Sequence, residues 1–189
     1  SWAPLFADFD NDGQKDLFVS SGIVKRPVDL DYIRFVSDLS INKGLDKTDK
    51  YDQEAIEAMP DGSSHPYFFQ SGSNYLFSDV SNAWGTTSLK GYFNGAAYAD
   101  LDGDGDLDMV INAINDEAVV LRNNSPVSHS ISISFQGTTP NNYGFGAKTF
   151  VFQGRHIQYQ QLSPSRGFQS SVEPILHFGL GENRPIDSI

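Results

Sequence analysis

The chain has 189 residues, 39% of them hydrophobic, and a formal net charge of −11 from 24 acidic and 13 basic side chains. This composition predicts a folded protein, while the negative field disfavours nucleic acid and anionic lipid as partners. The lack of cysteine excludes disulfides and thiolate metal sites, and no apolar run reaches the roughly 20 residues that span a bilayer.

Two aspartate-rich segments form an internal repeat. Residues 5–20 (LFADFDNDGQKDLFVS) align without gaps with residues 97–112 (AYADLDGDGDLDMVIN), at an offset of 92. Each copy ends in an apolar run of strand-forming residues that follows an Asp/Gly/Asn cluster. Each copy therefore predicts a strand, a tight loop and a second strand. Because patterned sequence runs to both ends, we expect the chain to be part of a longer polypeptide.

The sequence between the copies predicts a helical insert at about residues 28–59. Apolar side chains recur at helical spacing in residues 28–40, and residues 48–59 end before a proline, as helices tend to. Residues 65–85 return to aromatic-rich strand sequence around a Ser-Gly-Ser-Asn turn, which is typical of a β-hairpin. We therefore predict two short helices within a β framework, followed by a hairpin.

The aspartate density falls near residue 125, where we predict a domain boundary. Residues 126–189 would form a small antiparallel β domain after the repeat domain of residues 1–125. Apolar side chains alternate in residues 129–137, and a Gln-Gly turn separates two segments of strand composition at residues 148–162. The predicted fold class is mainly β, with antiparallel sheets, loops between strands, a short helical insert and the C-terminal domain.

The aspartates of each loop are spaced as oxygen ligands for one calcium ion. Calcium takes about six to eight oxygens at roughly 2.3–2.6 Å, and a short loop supplies them when alternate residues point inward. Aspartate stands at positions 1, 3, 5 and 9 of each loop, with glycine at position 6. The expected side-chain ligands are Asp8, Asp10, Asp12 and Asp16 in the first loop and Asp100, Asp102, Asp104 and Asp108 in the second. Gln14 and Asp106, at position 7, are expected to bind through their carbonyl oxygens.

Two calcium ions explain this pattern better than other metals do. Clustered carboxylates repel one another in a folded loop without a cation. Zinc and copper favour nitrogen or sulfur, and magnesium retains more water. An EF-hand would need flanking helices and a glutamate at position 12, where the loops have Val19 and Ile111. A simpler interpretation, in which the loops are solvated Asp/Gly turns, stays open.

The segments FADFDNDGQKDLFVSSG and NGAAYADLDGDGDLDMVINAINDEAVVLRNN resemble the FG-GAP or VCBS repeats of integrin-type β-propellers. The resemblance implies propeller-blade-like antiparallel sheets, with calcium in the loop between the first two strands of each. A closed propeller needs about four to eight blades, whereas the chain has two such loops. Either further blades precede them, or the two units form an open assembly whose edges the helices cover.

The C-terminal sequence resembles a second family. The segments NNYGFGAKTFVFQGRHIQYQQ, SRGFQSS and LHFGLG, with IDSI after them, are similar to the ASPIC/UnbV domain that follows such repeats in bacterial proteins. That domain normally continues past IDSI, so we expect a truncated copy here. Together the two resemblances imply an extracellular or cell-surface location, associated with the outer membrane.

No recognisable catalytic motif accompanies the histidines at positions 65, 129, 156 and 177. We interpret them as surface or packing residues, with His177 in a structural role beside a glycine turn. Arg166 and Lys148 could line a polar groove, but solvated side chains explain them as well. The loop aspartates are better explained as ligands than as the paired carboxylates of a glycosidase. We therefore expect no enzymatic activity.

The leading hypothesis is a noncatalytic, calcium-binding surface module for interaction with an extracellular protein or glycan, or for adhesion. One alternative is an accessory region of a carbohydrate-active or other hydrolytic enzyme whose catalytic domain lies outside these residues. Another is a purely architectural spacer. Aromatic side chains could stack on a bound sugar, although in β-strands such residues are more often buried in the core. The candidates are Tyr67, Phe68, Tyr92 and Tyr143.

Overall fold

The computed structural model describes residues 2–26, 29–34, 37, 53–126, 129–182 and 185–189. In these residues the protein is mainly β, as predicted, and its strands pair in antiparallel sheets. The described sheets do not close into a propeller. Within the same ranges, no helix is long and apolar enough to cross a membrane.

The first sheet has four strands in the order β1-β2-β3-β4. They are β1 (Pro4–Ala7), β2 (Asp16–Val19), β3 (Tyr67–Ser71) and β4 (Phe77–Asp79). The first aspartate loop joins β1 to β2, in which Leu5 pairs with Phe18. The predicted hairpin is confirmed as β3 and β4, and its turn places Asn74 and Tyr75 in the left-handed region of backbone conformation.

The predicted insert lies between β2 and β3. It contains two helical segments, α1 (residues 30–34) and α2 (Gln53–Ala58). Each falls within one of the two segments predicted to be helical. Much of the remaining prediction concerns residues 35–36 and 38–52, which lie outside the described residues.

The second sheet repeats the arrangement of the first with three strands. They are β5 (Phe93–Ala99), β6 (Asp108–Ala113) and β7 (Val119–Leu121), in that order. The second aspartate loop joins β5 to β6, in which Ala97 pairs with Val110. The second predicted strand, loop and strand are therefore confirmed.

The first sheet contributes one of its two faces to a core shared with the second sheet. Leu5, Ala7, Phe18 and Phe68 point into this core and are at most 5% exposed. Strand geometry places alternate residues on opposite faces. The other face therefore carries Phe6, which is 47% exposed, and its neighbours.

The face of the second sheet that packs against the first corresponds, in the repeat, to the outer face of the first sheet. It buries Met109 and Ile111 in the shared core, and at the offset of 92 these residues correspond to Leu17 and Val19 on the outer face of the first sheet. Val110, the counterpart of the buried Phe18, is only half-buried. The two copies are therefore stacked head to tail, with unlike faces in contact.

The C-terminal unit consists of two antiparallel pairs, β8 with β11 and β9 with β10. The strands are β8 (His129–Ser134), β9 (Lys148–Gln153), β10 (His156–Gln161) and β11 (Ile175–Gly181). Val151, Leu162, Leu176 and Phe178 form its buried core. Ile131 and other residues of the predicted alternating segment pack against this core. The predicted C-terminal strands are thus confirmed.

The connection between β10 and β11 reaches the outer face of the second sheet. Residues 168–171 line a cleft of about 300 Å³ together with Ala97, Val110 and Asn112 of that face. A Cβ atom added to Gly95 would lie 2.8 Å from the Ser170 hydroxyl oxygen. The C-terminal unit thus covers part of the second sheet that the first sheet leaves open.

Candidate metal centres

Each aspartate loop bends through left-handed residues at positions 4 and 6. The φ angles are 58° at Asn11 and 93° at Gly13 in the first loop, and 79° at Gly103 and 92° at Gly105 in the second. Glycine, and less often asparagine, adopts this conformation at low cost. The Asn-Asp-Gly and Gly-Asp-Gly sequences therefore specify the same bend in both loops.

The first loop gathers three of its four predicted carboxylate ligands. Oxygen atoms of Asp8, Asp10 and Asp16 lie within 4.8 Å of one another, and Asp8 and Asp16 are 4% and 0% exposed. Asp12 is outside this group, because its carboxylate accepts hydrogen bonds from the backbone and side-chain amides of Gln14. Gln14 itself is exposed.

Backbone amides hold the two buried carboxylates of the first loop. Asp8 accepts a hydrogen bond from the Gly13 N–H at 2.9 Å. Asp16 accepts one from the Phe9 N–H at 3.0 Å and another from the Ser71 N–H, in β3, at 2.9 Å. The positions of both carboxylates are therefore fixed by the backbone.

The second loop reproduces this geometry. Oxygen atoms of Asp100, Asp102 and Asp108 lie within 4.8 Å of one another. Asp108, the counterpart of Asp16, accepts hydrogen bonds from the Leu101 N–H at 2.9 Å and from the Asn123 N–H at 2.8 Å. The same loop positions thus supply the same carboxylates in both copies.

Two further aspartates of the second loop differ in their surroundings. The Asp104 carboxylate lies 3.7 Å from Nη2 of Arg122, and Asp102 lies 2.8 Å from Nε of the same arginine. Asp106 is 7% exposed, and its enclosed Oδ1 makes no hydrogen bond to any described residue. Asp106 therefore keeps a carboxylate oxygen without a hydrogen-bond donor beside the acidic group.

Burial and mutual repulsion raise the pKa values of several loop carboxyls. Burial is the largest cause for Asp8, whose pKa rises to about 8, and the carboxylates of Asp12, Asp10 and Asp16 raise it further. Burial likewise raises the pKa of Asp16 to about 7 and that of Asp106 to about 6. Negative charge in these loops is thus costly unless a cation compensates it.

The donor set fits a hard divalent cation. Each acidic group offers carboxylate oxygens, and no histidine joins either group in the part of the chain that the structure describes. Two ligands at about 2.4 Å from one calcium ion lie at most about twice that distance apart, and the carboxylate oxygens of each group are close enough together to share one ion. These residues could therefore hold calcium with carboxylate oxygens, supplemented by backbone carbonyls and water.

Three amide side chains at these loops were not predicted as functional residues. Asn11 is 1% exposed, and its Nδ2 donates to the Gly105 carbonyl oxygen at 3.0 Å. Gln70 donates to Asp10 Oδ2 at 2.6 Å, and Asn123 donates to the Phe9 carbonyl oxygen at 2.6 Å. The sequence held one signal for Asn11, namely an asparagine where the second loop has glycine.

The other candidate residues are scattered. Phe68 belongs to the core and is 5% exposed, whereas Tyr143 is 58% exposed on the C-terminal unit. Lys148 is exposed, and Arg166 lines a narrow cavity between the two units together with Lys15. His177 is buried and its Nε2 lies 2.6 Å from Asn11 Oδ1, which agrees with the structural role predicted for it.

The fold and the paired loops define an antiparallel β protein with two acidic, metal-compatible centres beside a small C-terminal β domain. Residues 137–189 match the ASPIC and UnbV family, so an ASPIC/UnbV domain is present there, as its sequence predicted. Its last strand, β11, pairs with β8, which precedes the matched residues. No curated protein matches the chain.

Proposed function

We propose that this chain is a noncatalytic surface module that binds two calcium ions, one in each aspartate loop. The observation that carries the proposal is the repetition of one geometry: positions 1, 3 and 9 of both loops bring carboxylate oxygens within 4.8 Å of one another. A solvated turn has no need to bury its carboxylates, yet Asp8, Asp16 and Asp108 are at most 4% exposed.

The proposed ligands follow from the loop positions. Asp8, Asp10 and Asp16 would hold one ion, and their counterparts in the second loop the other. Asp12 and Asp104, at position 5, would complete the shells after leaving their present partners, Gln14 and Arg122. The carbonyl oxygens of Gln14 and Asp106 would add to each shell. The ions would bring the formal charge from −11 to −7 and would hold the β1–β2 and β5–β6 loops in their bent form.

We also propose that the two sheets are blades in a head-to-tail series, as FG-GAP or VCBS repeats would be. In support, the face of the second sheet that is buried against the first is the counterpart of the outer face of the first sheet. That outer face carries Phe6, Leu17, Val19 and Phe77, with Phe6 and Phe77 at 47% and 44% exposure. A preceding blade would cover them, since a sheet that is apolar on both faces is usually covered on both.

The proposed partners are an extracellular protein or a glycan, at the cell surface. Support comes from the resemblance of the loops to surface-protein repeats and from the acidic charge, which disfavours nucleic acid. Calcium sites of extracellular modules work at about 10⁻⁴–10⁻³ M, a range suited to ions that maintain structure. We therefore propose that the calcium ions stabilise the folded structure and take no part in a reaction.

The test of calcium binding is calorimetric titration of chelator-treated protein, combined with thermal unfolding. We expect two calcium ions per chain and a melting temperature that falls in EDTA. Asp10→Asn and Asp102→Asn should each weaken one site and leave the other, whereas Asp116→Asn, on the exposed surface, should weaken neither. The absence of heat together with an unchanged melting temperature in EDTA would contradict the proposal.

A further inference from the structure

Strand β11 of the ASPIC/UnbV domain crosses directly over the first aspartate loop. The contact is close enough that a Cβ atom on Gly179 would lie 2.1 Å from Asp8 Oδ2 and 2.5 Å from the Asn11 Cα atom. Real Cβ atoms do not approach other atoms so closely, so only glycine permits this approach. The backbone of β11 therefore forms one wall of the first loop.

Asn11 connects the first loop both to strand β11 and to the second aspartate loop. Its backbone carbonyl accepts a hydrogen bond from the Gly181 N–H at 2.9 Å, and its Oδ1 lies 2.6 Å from His177 Nε2. Its Nδ2 donates to the Gly105 carbonyl oxygen of the second loop at 3.0 Å. All three contacts depend on the bent form of the first loop, because Asn11 holds the left-handed position of that bend.

The second loop also contacts the C-terminal unit. The Gly105 carbonyl oxygen accepts a second hydrogen bond, from the Ser130 hydroxyl group in β8, at 2.7 Å. Next to Gly105, Asp106 is 93% buried and leaves Oδ1 without a hydrogen bond to any described residue. A cation held by Asp100, Asp102 and Asp108 would compensate the charge of this neighbouring carboxylate. Strand β8 therefore contacts the second loop beside a position at which calcium is expected.

We propose that calcium binding and the docking of the ASPIC/UnbV domain are coupled, so that each strengthens the other. The inference rests on the proposed calcium sites. Without a cation, the Asp8 carboxylate is held under β11 beside two other carboxylates, and the domain that covers it also blocks its hydration. A calcium ion compensates this charge and fixes the bend that presents Asn11. Because coupling between two binding events is reciprocal, a docked domain raises the affinity for calcium by the same factor.

The test is hydrogen–deuterium exchange of the full 189-residue chain, measured by mass spectrometry during a titration with calcium chloride. The Gly181 N–H reports docking, since it donates to Asn11, and amides of residues 12–14 report the loop. We expect protection of both to rise with the same midpoint, and both to be lost in EDTA. Magnesium chloride at equal ionic strength is the control for salt.

Two substitutions in the contact separate docking from metal binding. Gly179→Ala should push β11 away from the loop, abolish the calcium-dependent protection of β11 and weaken calcium binding at the first site by about tenfold, as supporting residues of metal sites do. Gly72→Ala is the matched control, because its Cβ atom meets only the Leu76 carbonyl oxygen at 3.4 Å. Asn11→Gly keeps the left-handed bend and all aspartates, so it should fold even where Gly179→Ala does not. It should also reduce the calcium-dependent protection of β11.

The outcomes distinguish this inference from the proposed function. If calcium binds with two ions per chain but protection of β11 is the same with and without calcium, the coupling is wrong and the calcium sites stand. If Asn11→Gly and Gly179→Ala, both folded, retain the calcium-dependent protection of the unmodified chain, the coupling is likewise overturned. If calorimetry gives no calcium binding, the proposed function itself fails.

Discussion

Asp8 and Asp16 carry buried negative charge that destabilises the folded protein in the absence of a compensating cation. Each is a carboxylate buried beside other carboxylates, and each accepts backbone N–H groups that orient it. The hydrogen bonds lower the pKa of each group, but burial outweighs them, so both pKa values rise. The residues therefore favour either a proton or a cation.

The raised pKa values of Asp8 and Asp16 predict how the stability of the calcium-free protein depends on pH. Asp8 and Asp16 bind protons more tightly in the folded state, where their pKa values are about 8 and 7, than at the ordinary value of 3.8. Their contribution to stability is therefore complete below about pH 4 and is lost as the pH rises through 7 to 8. In EDTA, urea unfolding should give a free energy lower at pH 8 than at pH 5, by on the order of a few kcal/mol.

Two controls make this pH prediction specific. Asp8→Asn should flatten the dependence, because it removes the group with the larger shift. Calcium at saturating concentration should raise the stability at pH 8 more than at pH 5, since at pH 5 the cation must displace protons. A calcium-free protein that is equally stable at both pH values would contradict the assignment.

At the scale of the strands, the first sheet has one buried face and one open face. The prediction is that Phe18→Ala destabilises the protein by about 3–5 kcal/mol, since Phe18 is fully buried. Phe6→Ala, at 47% exposure on the other face, should cost about 1 kcal/mol or less. Urea unfolding in saturating calcium measures both. Equal losses would mean that the outer face is covered in solution.

The sequence predicted the strands at the loops because the signals are local. Asp, Asn and Gly specify the bend, and the apolar runs of residues 17–19 and 109–111 specify the strands after it. Local patterns do not reveal which faces meet, so the head-to-tail stacking was not predictable from one sequence. Nor was the contact of Asn11 with His177, which lie 166 residues apart. Sequence spacing likewise predicted four equivalent aspartates in each loop, whereas hydrogen bonds with Gln14 hold Asp12 outside the group of three.

For the whole molecule, the excess of negative charge has a measurable consequence. Nine of the aspartates lie in the two loops, so the calcium-free protein concentrates its repulsion there. Sodium chloride screens such repulsion. Raising its concentration from about 0.02 to 0.5 M should increase the melting temperature in EDTA by about 2–4 °C, equivalent to roughly 1 kcal/mol.

The matching measurement in saturating calcium should give a smaller increase, because the ions have already compensated the loop charge. Potassium chloride should act like sodium chloride, since screening depends on ionic strength and not on the identity of the monovalent cation. An equal salt effect with and without calcium would place the main repulsion outside the loops.

Because unlike faces of the two sheets are in contact, the two ends of the stack differ. One end of the stack, at Phe6 and Phe77, presents an apolar surface to solvent. The other end, at Ala97 and Val110, is partly occupied by residues 168–171 of the ASPIC/UnbV domain. Under the proposed blade arrangement, a further sheet would be added on the Phe6 side, because residues 168–171 already cover part of the opposite end, in the position that a polar capping repeat takes in a solenoid.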